Sequence, residues 1–204
     1  MVEIESAVPF KQIERYGAPY GKPGVMLREV QNQSIVQIAA FPGAEKDLFK
    51  ALGSELGIVV DGTAGRVGVN DDGSIRAVWI SLNSYLVVAS SMPDRVLHSR
   101  LAKACGSCAL VTDQSAGRVC FELTGASVID LLMMESATNF ERDAFGPGES
   151  RAASWAGIAC IVLFADGSDP DRPVYQLFPH RSFAQSLWEE LCDAGREYAV
   201  EVIG

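Results

Sequence analysis

Short apolar runs that face one another across turn-forming residues constrain this chain most. Ile75 to Ile80 and Tyr85 to Ala89 read as strands around Ser81 to Ser84. Ile158 to Phe164 and Val174 to Phe178 read as strands around the polar loop Asp166 to Arg172, with Arg151 to Trp155 just before them. A parallel crossover needs about a dozen residues or more, so connections this short imply antiparallel pairing. Ser34 to Phe41 alternates in the same way and stops at Pro42-Gly43, and Ala109 to Asp113 and Arg118 to Leu123 form two further strands joined by Gln114 to Gly117.

Helical spacing appears between these runs. Leu48, Phe49, Leu52 and Leu56 form one stripe within Glu45 to Leu56, with Glu45 and Asp47 in the dipole-favoured first turn and Gly57 closing the helix. Met92-Pro93 opens a second helix with Val96, Leu97, Leu101 and Ala104 inward, Pro93 suiting the first turn. Thr124-Gly125 leads to a third, with Val128, Leu131, Leu132 and Met134 inward. In the last helix, Ser182 and Gln185 have capping-box spacing; Phe183, Leu187, Leu191 and Ala194 follow on one stripe, flanked by Trp188. Strands and helices mix without regular βαβ alternation, so the expected class is α+β: a largely antiparallel sheet with helices packed on one side.

Residues 1–32 break this pattern. Gly17, Pro19, Gly21, Pro23 and Gly24 interrupt any hydrophobic period, while Phe10, Tyr16 and Tyr20 offer surface to bury. The expectation is an N-terminal arm laid on a partner, followed by one α+β domain over 33–204. Composition narrows the partner. With 17 basic and 26 acidic residues, the net charge of −9 repels phosphate backbones and anionic lipid surfaces. The longest apolar run, Ala156 to Ala165, is half the length of about 20 residues a spanning helix needs, and the acidic N-terminus does not read as a secretory signal; a cytoplasmic chain is the expectation. Five cysteines without framework spacing fit free thiols.

The motifs that could carry chemistry are weak. Cys105-Gly-Ser-Cys108 is a C-x-x-C, but it follows a helix, and a redox pair needs its first thiol at a helix N-terminus. Zinc would need two further ligands, and Cys120, Cys160, Cys192, His98 and His180 show no ligand spacing. Gly62, Gly65 and Gly68 are not a phosphate loop. His98 and His180 are the only histidines, and Ser182 lies in no nucleophile elbow. Asp113 and Arg118 flank a tight turn, where they can pair or hold a loop or partner. From the residues alone, no catalytic, cofactor or metal site is expected in this chain.

Four segments nevertheless form a recognisable series. Val111 to Leu132, with Asp113, Ser115 and Arg118, resembles the D-x-S…R-x-x-x-x-L-x-G-x-x-A-x-x-x-L pattern of the sarcosine oxidase gamma subunit family. Asp143-Ala-Phe-Gly-Pro-Gly148 resembles its R-x-F-x-P-G segment, and Ala77 to Leu86 its strand–turn–strand. Arg181-Ser-Phe-Ala-Gln-Ser-Leu-Trp188 resembles its R-S-F-A-x-S-L-W helix most specifically. The resemblance covers roughly residues 25–201 and implies a fold similar to the folate-binding domain of aminomethyltransferases. It also implies a non-catalytic gamma subunit in a cytoplasmic heterotetramer with alpha, beta and delta chains, which oxidatively demethylates sarcosine or a related N-methyl amine. FAD, FMN, NAD, tetrahydrofolate and zinc would then sit in the partner subunits. Tyr16, Tyr20, Asp113, Arg118, Arg181 and Trp188 are the candidate partner-contact or structural residues. The alternative is a stand-alone folate-binding or aminomethyltransferase-like protein on the same fold.

Overall fold

Period-two burial sorts the strands into two sheets, each covered by helices on one face. The computed structural model describes residues 6–8, 15–17, 21–90 and 92–203. In chain order the elements are β1 (Arg15–Tyr16), β2 (Val25–Glu29), β3 (Gln33–Ala40), α1 (Glu45–Leu56), β4 (Gly68–Val69), β5 (Ile75–Ser81), β6 (Ser84–Ser90) and α2 (Asp94–Cys105). They continue with β7 (Ala109–Asp113), β8 (Phe121–Thr124), α3 (Val128–Met134), β9 (Ser150–Trp155), β10 (Ile158–Asp166), β11 (Val174–Pro179), α4 (Ala184–Ala194) and β12 (Val200–Val202). Short 3-10 turns, Arg181–Phe183 and Gly195–Tyr198, flank α4.

The chain divides into two compact units: Met1–Gln31, Val119–Gly148 and Ala152–Gly204 make the first, and Asn32–Arg118 with Glu149–Arg151 the second. In the first, the sheet order is β1-β12-β2-β8-β11-β10-β9. β12 runs parallel to β2, whereas the β1–β12, β2–β8, β8–β11 and β10–β11 pairs are antiparallel. Val25, Leu27, Phe121, Leu123, Tyr175 and Leu177 alternate onto one face and meet Val128, Leu131 and Leu132 of α3 and Leu187, Trp188 and Leu191 of α4. Phe140 and Phe145 enter the same core from the loop before β9, and Phe164 and Tyr175 stack with ring centroids 4.4 Å apart.

The second unit holds the sheet β4-β5-β6-β3-β7, antiparallel throughout. Val36, Ile38, Ala77, Tyr85 and Val87 face Leu48, Leu52 and Leu56 of α1 and Leu97 and Leu101 of α2. Gly57 ends α1 in the left-handed conformation, φ 69°, with its N–H on the Gly53 carbonyl.

These arrangements correct several expectations. One sheet was expected and two are found, because β7 and β8 do not pair across Gln114 to Gly117: β7 pairs with β3, and β8 lies between β2 and β11. The α+β domain over 33–204 accordingly divides between two units. The segment 1–32 is not only an arm, since β2 is an inner strand with Val25 and Leu27 fully buried. Gly24 marks close packing there: a Cβ on it would stand 2.5 Å from the Tyr198 carbonyl oxygen, and one on Gly125, at φ 135°, would stand 2.2 Å from the Gly24 carbonyl oxygen. At the other end, Ser182 and Gln185 form no capping box. A 3-10 turn occupies Arg181–Phe183, α4 starts at Ala184 with Phe183 as its N-cap and no side-chain cap, and Gln185 Nε2 instead donates to Glu189 Oε1 at 2.9 Å. Leu187 and Leu191 are buried as expected, Trp188 beside them is buried too at 2% exposed, and Phe183, in the 3-10 turn, is left 52% exposed. Val96 and Met134 also face outward, and Pro93 is the N-cap of α2 rather than its first helical residue.

Candidate functional site

The Asp113–Arg118 turn is where the chain leaves the second sheet. Asp113 Oδ1 accepts the Ser115 N–H at 3.0 Å, an Asx turn that fixes the corner. Ser115, itself buried, reaches back to β3: its Oγ accepts the Ile35 N–H at 3.0 Å and lies 3.3 Å from the Ile35 carbonyl oxygen, to which it donates. Gln114 N–H donates to the same carbonyl at 2.8 Å. Asp113 therefore holds a loop, and the buried Ser115 hydroxyl is the anchor that spacing alone did not reveal.

A groove of about 350 Å³ runs along the outer side of α4, lined by Tyr16, Trp188, Glu189, Glu190, Cys192, Asp193 and Arg196. β1, paired antiparallel with β12, carries Tyr16 to its rim; α4 supplies the floor. Two residues singled out from sequence, Tyr16 and Trp188, thus meet in one place. Trp188 is turned into the core, edge-on to Phe121 at 5.2 Å between ring centroids. The rim is acidic, and its one arginine, Arg196, pairs with Asp193 at 2.9 Å. Arg181 sits in the 3-10 turn before α4 and is half-buried. Tyr20 and Phe10 lie outside the described residues.

Cys105 is the last residue of α2, and Cys108 follows in the turn; both are buried, and Cys108 Sγ donates to the Cys105 carbonyl at 3.3 Å. Burial, with the neighbouring Cys108 and Glu55 adding to it, pushes the Cys105 thiol up to about 11. Burial likewise raises Cys108. A protonated thiol at a helix C-terminus is a poor nucleophile and a poor metal ligand. Among the described residues no group of three or more His, Cys, Asp or Glu side chains could hold a metal ion, and no helix is long and apolar enough to cross a membrane.

A polar row on the first sheet was not anticipated. Glu122 of β8 takes Arg28 Nε of β2 at 2.8 Å and Gln176 Nε2 of β11 at 2.8 Å, on the face opposite α3 and α4. The signal was present in the alternation: Glu122 and Gln176 each stand between inward apolar neighbours, and Arg28 follows the inward Leu27. The group satisfies itself, each carboxylate oxygen having a donor, so it reads as sheet cross-linking.

Comparisons with known proteins place this architecture. The model of the sarcosine oxidase gamma subunit family matches residues 37–197. Comparison with curated protein sequences gives no match. Among solved structures, a heterotetrameric sarcosine oxidase from Corynebacterium sp. U-96, in complex with pyrrole 2-carboxylate, contains a chain similar in fold at TM-score 0.76 and 24% identity, over 90% of this chain and 88% of that one. The glycine cleavage system aminomethyltransferase T from Bartonella henselae is similar in fold at TM-score 0.63 and 13% identity, over 90% of this chain and 48% of that one. The expected similarity of fold to an aminomethyltransferase holds, and since the family model spans most of the chain, including parts of both units, the chain belongs to the sarcosine oxidase gamma subunit family.

Proposed function

We propose that this chain is the non-catalytic gamma subunit of a heterotetrameric, sarcosine oxidase-type flavoenzyme that oxidatively demethylates sarcosine or a related N-methyl amine. Its work is assembly. The observation that carries the reading is the family match over residues 37–197. The state of the side chains supports it: the Cys105 thiol is held protonated, and the carboxylates Glu122, Asp113 and Asp193 are each engaged in a structural bond. Flavin, NAD, folate and zinc chemistry then belongs to the alpha, beta and delta partners, in the cytoplasm. The N-terminal arm with Tyr16, and the Arg181 turn, serve as contacts to those chains.

Binding of folate in this chain fits the residues poorly. The aromatic residues lining the groove beside α4 are Tyr16 and Trp188, and Trp188 is 2% exposed and packed edge-on against Phe121, which leaves a pterin little surface to stack on. The folate tail is anionic, and it would meet Glu189, Glu190 and Asp193, with Arg196 already paired. Co-expression with the chains encoded beside it, followed by size-exclusion chromatography, tests the assembly reading: co-elution with a flavin-absorbing chain is expected. Calorimetric titration with tetrahydrofolate tests the other; heat of binding with saturation in the micromolar range would favour a folate-binding protein instead.

A further inference from the structure

Cys105-Gly-Ser-Cys108 is a motif that neither the core of the chain nor its proposed role in an assembly requires. Its place in the fold is a tight turn. Cys105 is the last residue of α2, Gly106 and Ser107 are exposed, and Ala109 begins β7. The Cys108 N–H donates to the Cys105 carbonyl at 2.9 Å. The Cys108 thiol folds back onto that same carbonyl oxygen, with Sγ 3.3 Å from it.

A turn closed by such a bond holds its end Cα atoms within about 7 Å, and a disulfide needs them about 4.4–6.8 Å apart. The turn therefore sets the spacing before either sulfur reacts. The two thiols also sense one another, since Cys108 is among the groups that raise Cys105. The other cysteines lie in the first unit: Cys120 just before β8, Cys160 in β10 and Cys192 in α4.

From this we infer that Cys105 and Cys108 form a redox-modifiable pair, which a peroxide converts into an intrachain disulfide that clamps the turn between α2 and β7. The inference stands apart from the assembly reading, and either can fail without the other. Cys108 is 6% exposed and Cys105 fully buried, so Cys108 meets the oxidant first. Its thiolate attacks one peroxide oxygen; the O–O bond breaks, leaving a sulfenic acid on Cys108 and an alcohol, or water from hydrogen peroxide. The Cys105 sulfur then attacks the sulfenic sulfur; the S–S bond forms, the S–O bond breaks and water leaves. Each sulfur is oxidised by one electron, the peroxide bond takes both, and the two thiol protons end in the alcohol and the water.

The burial that makes these thiols slow also makes the product durable. A pair is strongly oxidising when its reduced form is stabilised, as a low-pKa thiolate does. Here burial raises both thiols, with Glu55 of α1 adding to the rise at Cys105 and Asp47 of α1 to that at Cys108. Glu55 is itself bound by Arg100 of α2 at 2.7 Å. The reduced pair thus gains no thiolate stabilisation. The C-terminal end of α2 is wrong for a catalyst that must open and close, and it suits a bond that closes and stays. That bond would fix the start of β7, where the Cys108 carbonyl accepts the Phe41 N–H at 2.8 Å.

Peptide mapping of the full chain after treatment with hydrogen peroxide tests this. Trypsin cuts after Lys103 and Arg118, so residues 104–118 leave as one peptide that carries both sulfurs and no other cysteine. From the folded chain that peptide should come out lighter by about 2 Da, the two thiol hydrogens, and dithiothreitol should restore it. Below the Cys108 pKa the rate should rise about tenfold for each pH unit, following the thiolate fraction. The oxidised chain should unfold at a higher urea concentration than the reduced one. Cys105→Ala and Cys108→Ala, checked for folding by circular dichroism, should each abolish the mass loss. A peptide that loses the hydrogens only in denaturant overturns the inference, because the native turn then does not pair the sulfurs. Sulfinic or sulfonic acid at either position without the disulfide overturns it, as does a link to Cys120, Cys160, Cys192 or a second copy.

Discussion

Trp188 and Ser182, six residues apart, differ in what they contribute: one packs in the core and the other caps nothing. Trp188 is buried against Phe121, so Trp188→Ala should lower unfolding stability by about 3–5 kcal/mol, measured by urea denaturation. Ser182 makes no cap, so Ser182→Ala should change stability by less than about 0.5 kcal/mol, where loss of a true N-cap costs about 1 kcal/mol. Cys105 gives a pH signature. Its thiol rises from its ordinary value of 9.0 to about 11 on folding, so the folded state retains a proton that the unfolded state releases in that interval. Stability contributed by the neutral thiol is complete below pH 9 and is lost as pH climbs towards 11. Alkaline unfolding curves should therefore flatten in Cys105→Ala, and iodoacetamide should label Cys105 at pH 8 only after denaturant is added.

At the scale of elements, patterns that are decided locally were legible in the amino-acid order. The hairpin β5–β6 and the helix α1 with its glycine stop follow from alternation, helical spacing and turn chemistry within a dozen residues. The same holds for the strand segment β10–β11. What depends on distant partners was not. β2 is a five-residue run, Val-Met-Leu-Arg-Glu, whose burial is set by β8 and β12, the latter about 175 residues further on. β12 itself, only three residues long, has no local signal strong enough to name it. The groove beside α4 was half legible: Tyr16 and Trp188 were singled out by type, but the β1–β12 pairing that brings Tyr16 beside α4 is non-local. The Ser115 anchor and the Glu122 row needed the ladder registers. A consequence follows for truncation. Leu27→Ala should cost about 2–5 kcal/mol, and deletion of residues 1–32, which removes β2 from the middle of its sheet, should abolish cooperative unfolding by circular dichroism.

For the molecule as a whole, two compact units, each a sheet with helices on one face, explain why the family resemblance is spread along the chain in separated motifs. The Asp113–Arg118 turn carries the chain from the second unit to the first, and the Arg181–Trp188 segment opens the helix that closes the first unit's core. Both motifs are accounted for by folding, without recourse to a reaction. What folding does not account for is the proposed role in assembly, which the family match over residues 37–197 supports. Native mass spectrometry of the chain co-expressed with its genomic neighbours addresses this most directly. The account predicts this 21.9 kDa chain in a defined complex, one copy for each flavin-bearing subunit. Detection of the chain only as a free 21.9 kDa monomer, beside an assembled flavoenzyme that lacks it, would contradict the account.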